Sequence, residues 1–73
     1  MKRTLTAVVM REKEGFVALC PEVDVASQGE TVEEAKRNLQ EAVELFFDCA
    51  SPAEIQERLS THSVVSPIEI TIA

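Results

Sequence analysis

A chain of 73 residues, of which 45% are hydrophobic and only three aromatic, can bury one small aliphatic core, which excludes a second domain. Its net charge of −6 and pI of about 4.6 argue against nucleic acids and anionic membranes as direct partners and favour basic proteins. So small a core also predicts self-association, as a dimer or tetramer. Neither a secretory signal nor an apolar run of membrane-spanning length is visible, so we expect a cytoplasmic single domain over residues 1–73.

The N-terminal part has the pattern of an antiparallel three-stranded meander. The segment 4–11 alternates like a strand, with Leu5, Ala7 and Val9 on one face and Thr4, Thr6, Val8 and Met10 on the other. The segment 16–20 is interpreted in the same way. The segment Glu12 to Gly15 between them is polar and ends in a glycine that can take positive φ, which predicts a hairpin with a four-residue loop. Pro21 cannot donate to a ladder and should end the second strand. A third short strand is predicted for Val23 to Gln28.

The hydrophobic period changes to that of a helix after Gly29. Thr31 and Glu34 have the spacing of a capping box, in which Thr31 caps the helix and Glu34 reaches back to it. Pro52 disfavours the helical conformation for Ser51, so this helix should end near Ala50. Apolar residues recur between these limits at helical spacing: Val32, Ala35, Leu39, Ala42, Val43, Phe46 and Ala50.

The last third of the chain predicts a short helix and a final strand. Pro52 is a favourable first helical residue, and the second helix should continue to about Ser60. Val64 to Ile72 alternate again, and Pro67 implies an edge position or a bend. The predicted fold is α+β with the order β-β-β-α-(short α)-β, an antiparallel meander packed under one long helix like part of a ribonuclease H core. With the last strand beside the first, the spatial order would be 3-2-1-4 through a right-handed crossover.

No set of residues suggests catalysis or metal binding. His62 is the only histidine, so a dyad with Cys49 would lack a third group, and an exposed loop histidine is the preferred interpretation. Cys20 and Cys49 lie outside any CxxC motif. We interpret them as buried free thiols in a reducing compartment, with a disulfide or a metal pair as the alternative. We therefore expect neither an enzyme, nor a metal, nor a cofactor.

Carboxylates in or near the predicted turns are the candidate site residues. Charge is expected in loops, so a solvated surface is the first interpretation. The alternatives are an acidic patch that binds a protein and, because the β-β-β-α-β order is that of the ribonuclease H core, a two-metal site. Metal-binding carboxylates should face one another on strands, so we assign these residues to partner binding rather than to catalysis: Glu12, Glu14, Glu22, Asp24 and Glu30.

Four short motifs stand in order within residues 4–50. They are Gly15-Phe16-Val17-Ala18, Pro21-Glu22, Ser27-Gln28-Gly29-Glu30-Thr31 and Glu33-Glu34-Ala35. In their order and spacing they resemble the HicB-like antitoxin family. The physical roles agree, because Gly29 permits a tight strand-to-helix turn, Thr31 caps, and Ala35 allows the helix to approach the sheet. The residues to which we assign structural roles are Gly15, Pro21, Gly29, Thr31, Glu34, Ala35, Leu39 and Phe46.

The resemblance implies a non-catalytic antitoxin that neutralises a small basic HicA-type toxin, which cleaves mRNA. The chain departs from the family in two places. Val23 to Ala26 stand where many members have a Pro-Gly-Cys-like segment, and no room follows the final strand for a DNA-binding segment. The resemblance therefore implies toxin neutralisation without autorepression by a domain of the chain's own. The alternative is an orphan protein-interaction or scaffold module of the same fold with a different partner.

Overall fold

The computed structural model describes residues 2–60 and 66–73, with the backbone alone at Ser60. His62, interpreted above as a loop residue, lies outside the described residues, as do positions 64 and 65 of the predicted last strand. The α+β arrangement is confirmed, with three antiparallel strands followed by a long and a short helix. The elements are β1 (Val8–Glu12), β2 (Gly15–Cys20), β3 (Val25–Gly29), α1 (Val32–Cys49) and α2 (Pro52–Ser60).

The three strands form one antiparallel sheet in the order β1-β2-β3. Glu12 pairs with Gly15, so the first hairpin has a loop of two residues instead of the predicted four. The expectation of a positive φ at Gly15 is also wrong, because no described glycine has one. The left-handed conformation occurs instead at Asp24 (φ 55°), in the turn between β2 and β3. Aspartate tolerates this conformation better than most residues.

The two faces of the sheet differ in burial because only one is covered by a helix. Val9 pairs with Ala18 on the covered face, where Val9 is half-buried and Ala18 is fully buried. Val8 and Met10 point to the other face and are 39% and 50% exposed. The predicted alternation is therefore correct, although the strand begins at Val8 rather than at residue 4.

The start of α1 is fixed by reciprocal hydrogen bonds. The Thr31 hydroxyl accepts from the Glu34 N–H at 3.0 Å, so Thr31 is the N-cap. The Glu34 carboxylate accepts from the N–H of Glu30 at 2.9 Å. It therefore reaches the residue before Thr31, and not Thr31 itself as the sequence predicted. At the other end the Ala50 N–H donates to the Phe46 carbonyl. The 18 residues of α1 span about 27 Å, enough to cross the sheet.

A small core lies between α1 and the sheet. The helix packs mainly against β3 and β2 and contacts β1 much less. Phe46 and Phe47 are half-buried beside this core, with their rings edge-to-face and 5.4 Å apart. The fully enclosed side chains are small, as the composition predicts, and they are Ala18, Cys20, Val23, Ala35 and Leu39.

Two glycines allow the backbone of β3 to lie against its neighbours. A Cβ at Gly29 would lie 2.6 Å from the Ala35 nitrogen and 2.9 Å from the Glu34 carbonyl carbon. A Cβ at Gly15 would lie 2.7 Å from the Gly29 carbonyl oxygen. Since neither residue has positive φ, close approach and not backbone conformation is the structural reason for glycine at both positions.

The short helix α2 contacts the core through the side chains of Arg58 and Leu59. Arg58 donates from Nη1 to the Val23 carbonyl oxygen at 2.6 Å, and its guanidinium lies 5.1 Å from the centre of the Phe46 ring. At its start, the Ser51 hydroxyl accepts from the Glu54 N–H at 3.1 Å. Leu59 packs against the core at its end. This arrangement fixes α2 at the end of the sheet where β2 turns into β3.

The predicted final strand is not formed by residues 66–73, which are exposed and belong to no strand ladder. Ile68, Ile70 and Ile72 are 81%, 71% and 83% exposed. A strand needs a ladder partner, and in the single chain this segment does not lie beside β1. The order 3-2-1 of the first three strands is correct, and the fourth position, next to β1, is empty among the described residues.

Candidate protein-binding site

Three of the five predicted partner-binding carboxylates come together at the hairpin end of the sheet. Glu12 ends β1, Glu14 lies in the following turn, and Glu30 follows β3. The register explains this grouping, because the Phe16–Gly29 pair brings the end of β3 beside the start of β2. All three carboxylates are on exposed residues. We call Glu12, Glu14 and Glu30 the acidic cluster.

The acidic cluster surrounds a shallow, open depression in the surface. Half-buried Phe16 and Val17 and the two glycines Gly15 and Gly29 also line the depression. Lys13 is the only basic residue among those that line it. Exposed carboxylates beside apolar residues give this end of the molecule the composition of a small protein-binding surface.

Glu34 also lines the depression, but its carboxylate has a structural partner. It accepts the Glu30 N–H and thereby satisfies a donor just before α1. The negative charge also lies in the first turn of α1, where the helix dipole favours it. Glu34 thus holds the backbone of Glu30 in place, which positions one member of the acidic cluster.

The other two predicted residues, Glu22 and Asp24, lie at the opposite end of β2. A six-residue strand separates the two ends by about 20 Å, so the five carboxylates do not form one site. Asp24 is exposed in the turn. Glu22 accepts from the Thr6 N–H at 3.0 Å and from the Thr6 hydroxyl at 2.6 Å, and the Cys20 thiol donates to it at 3.5 Å.

The contacts of Glu22 shift two pKa values, that of its own carboxyl group and that of the Cys20 thiol. Burial, the largest single cause, would raise the pKa of Glu22, but the hydrogen bonds from Thr6, from the Glu22 backbone and from the Cys20 thiol together outweigh it and lower this pKa. Burial, followed by the hydrogen bond to the Glu22 carboxylate, raises the pKa of the Cys20 thiol. Glu22 therefore attaches the segment before β1 to the end of β2, and its role in the structure is local.

The cysteines and carboxylates of the described residues do not assemble into a reactive centre. Both cysteines are free, but only Cys20 is buried, so the expectation of burial is wrong for Cys49, which is exposed at the end of α1. Over residues 2–60 and 66–73, no group of three His, Cys, Asp or Glu residues could hold a metal ion. In the same residues, neither helix has the length and apolar character needed to cross a membrane.

A second surface was not singled out by the sequence, namely the uncovered face of the sheet. The register places Val8, Met10, Val17, Leu19 and Ala26 on this face. None of these side chains is buried. We call this set the outer face. The alternation in β1 carried the signal, since both of its faces are apolar whereas one solvated face would be polar.

Comparisons with known proteins identify the family of the chain. A UPF0150 protein from Helicobacter pylori is 36% identical over 70 residues, which cover 94% of this chain and 97% of that protein. A UPF0150 protein from Synechocystis is 42% identical over 50 residues, covering 66% of this chain and 69% of that protein. No family model matches the chain, and no solved structure matches it. The chain belongs to the UPF0150 family.

Proposed function

We propose that the chain is a HicB-like antitoxin, which binds and neutralises a small basic HicA-type toxin in the cytoplasm. The four motifs of the resemblance support this, because they cover parts of β2 and β3, the turn between them and the start of α1. The net charge of −6 also supports it, since a toxin that binds RNA needs a basic surface, to which an acidic chain is attracted. In this proposal the chain supplies binding and no chemistry.

The acidic cluster is the observation that carries the proposal. Its exposed carboxylates line one depression together with Phe16 and Val17, and Lys13 is the only lining cation. A toxin recognises RNA phosphates with lysine and arginine side chains, and carboxylates at similar spacing compete for the same groups. The antitoxin would therefore cover the RNA-binding surface of the toxin. Apolar contacts within the depression would add affinity that free carboxylates lack.

The test starts from the reading frame next to this gene: where it encodes a short basic protein, its binding to the chain is measured with both proteins purified, together with protection of RNA from cleavage. The double variant Glu12→Lys/Glu14→Lys should weaken binding at least about tenfold, chiefly through slower association that depends on salt. The control Glu41→Lys/Asp48→Lys makes the same change in net charge on exposed positions of α1 and should bind almost as well as the unmodified chain.

Two results would contradict the proposal. Equal loss of binding in both variants would mean that net charge alone, rather than the acidic cluster, attracts the toxin. Unimpaired RNA cleavage in the presence of excess chain would exclude neutralisation and favour the orphan interaction module instead. Circular dichroism of each variant must match that of the unmodified chain, so that a lost fold is not taken for a lost interface.

A further inference from the structure

The exposed large hydrophobic side chains of the described residues are concentrated in two stretches. Seven such residues are exposed, of which Val8 and Met10 lie on β1, while Ile68, Ile70 and Ile72 lie in the segment 66–73. We call residues 66–73 the tail. In the tail, isoleucine alternates with Glu69 and Thr71, so one side of the extended chain is apolar and the other polar. This is the pattern of a strand that pairs at a sheet edge.

The sheet provides one edge that such a strand could join. β1 is an edge strand, and no described residue pairs with its free side. The opposite edge strand, β3, is more occupied, because α1 packs on it and the Asn38 side chain donates to the Gln28 carbonyl at 2.8 Å. Unpaired N–H and C=O groups of an edge strand are a template for an added strand.

A single chain contains both the tail and the free edge of β1, but its tail does not pair with its own β1. With a radius of gyration of 14.4 Å, it is less compact than a globular chain of this length, for which about 11 Å is expected. The principal extents of 49, 29 and 19 Å agree with this elongated shape. We propose that two copies exchange tails, so that residues 67–72 of each chain pair with the β1 edge of the other.

The side chains on both strands fit this exchange. If the isoleucines lie on the outer face, they continue the row formed by Val8 and Met10. Glu69 then lies on the other side of the sheet, the side of Arg11, which is exposed and lacks an acidic neighbour in its strand pair with Phe16. Opposite charges on neighbouring strands stabilise the pairing. The outer faces of the two copies can then cover each other.

Light scattering over a range of concentrations tests the assembly. The unmodified chain should have twice the mass of the 8.0 kDa monomer. Ile68→Ser/Ile70→Ser/Ile72→Ser should lower the association constant at least a hundredfold, whereas the control Leu45→Ser changes an exposed residue of α1 and should leave it unchanged. The tail contributes nothing to the described core, so circular dichroism should be the same for both variants. A monomeric unmodified chain, or a dimer that survives the triple substitution, would overturn the proposal.

Cross-linking distinguishes exchange between two copies from pairing within one. In a Cys49→Ser background, Met10→Cys/Ile70→Cys places one reactive thiol on β1 and another on the tail, while Cys20 is buried. A short bismaleimide tolerates small differences in register. It should produce covalent dimers at concentrations where the unmodified chain is dimeric. Covalent monomers cross-linked internally, without dimers, would mean that each tail folds onto its own β1 edge and would overturn the exchange. These outcomes do not depend on toxin binding.

Discussion

Gly29→Ala tests how closely α1 is held to the sheet. The added Cβ would lie 2.6 Å from the Ala35 nitrogen, whereas ordinary contact begins at 3.4 Å. The atoms it meets are backbone, so they cannot turn aside as a side chain would. The first turn of α1 must therefore move by about 0.8 Å, enough to forfeit a quarter to a half of the dispersion energy of the contacts it opens.

The net cost is the difference between two opposing effects. Overpacking of this kind costs about 1–3 kcal/mol. Because Gly29 has no positive φ, alanine fits its backbone conformation, and the reduced freedom of the unfolded chain returns about 0.4–1 kcal/mol. We expect a loss of about 1–2 kcal/mol in the free energy of unfolding. For a domain of this size, that lowers Tm by about 5–15 °C.

Thermal unfolding followed by circular dichroism, at one fixed protein concentration, measures the effect of Gly29→Ala. Lys36→Gln is the control, because it changes an exposed side chain near the start of α1 and should change stability by less than about 0.5 kcal/mol. Ala35→Gly should not rescue the variant, since the clash involves the Ala35 backbone nitrogen. A Tm of Gly29→Ala equal to or above that of the unmodified chain would refute the claim of a rigid close approach.

Three further predictions concern the cap, the Glu22 contact and the thiols. Thr31→Ala removes the acceptor for a helical N–H and should cost about 1 kcal/mol, whereas an unchanged Tm would place the cap elsewhere. Because the pKa of Glu22 is lowered in the folded state, this carboxylate contributes stability above the unfolded pKa of about 4.3, and the contribution is lost as the pH falls through the folded pKa. Urea titrations at several pH values should show a weaker loss of stability in acid for Glu22→Gln, which has no charge to lose. An identical loss in both proteins would contradict the role of Thr6. A thiol reagent should modify Cys49 in the folded protein but Cys20 only after denaturation, and equal rates would show that Cys20 is accessible.

Local signals in the sequence were sufficient to locate most of the fold. The change from a period of two to a helical period, with Thr31 as a cap, placed the start of α1 at the correct residue. Alternation over β1 correctly placed Val9 and Met10 on opposite faces of the sheet. Both signals come from residues that are close in sequence. The side chains that produce each pattern are also the ones that make the corresponding contacts in the structure.

The errors concern features that depend on tertiary neighbours. The tail alternates like a strand, but alternation reports only the propensity to pair and cannot supply the partner. Gly15 and Gly29 were expected to serve turns, whereas the structure uses both for close backbone contact, which a sequence cannot distinguish from a need for positive φ. The contact of Arg58 with Val23 spans 35 residues and had no local signal at all.

The division of the predicted carboxylates into two groups follows from the same limitation. Turn chemistry identifies charged loop residues, but strand direction decides at which end of the sheet each loop lies. Glu12, Glu14 and Glu30 share an end because β1 and β3 both finish there, while Glu22 precedes β3 at the other end. The partner-binding hypothesis is therefore narrower after folding, since it concerns three exposed carboxylates around an apolar depression.

The two proposed surfaces use different atoms of the same strand. Pairing of a tail with β1 would engage its backbone groups along the free edge, and the outer face would be covered through Val8 and Met10. Glu14 and Glu30 lie beyond the end of this ladder, in the hairpin turn and after β3, so exchange of tails would leave both accessible in each copy, whereas Glu12 is the last residue of β1. A dimer formed in this way would present two acidic clusters. Such an arrangement could bind two toxin molecules, or one dimeric toxin with the added affinity of a bivalent contact.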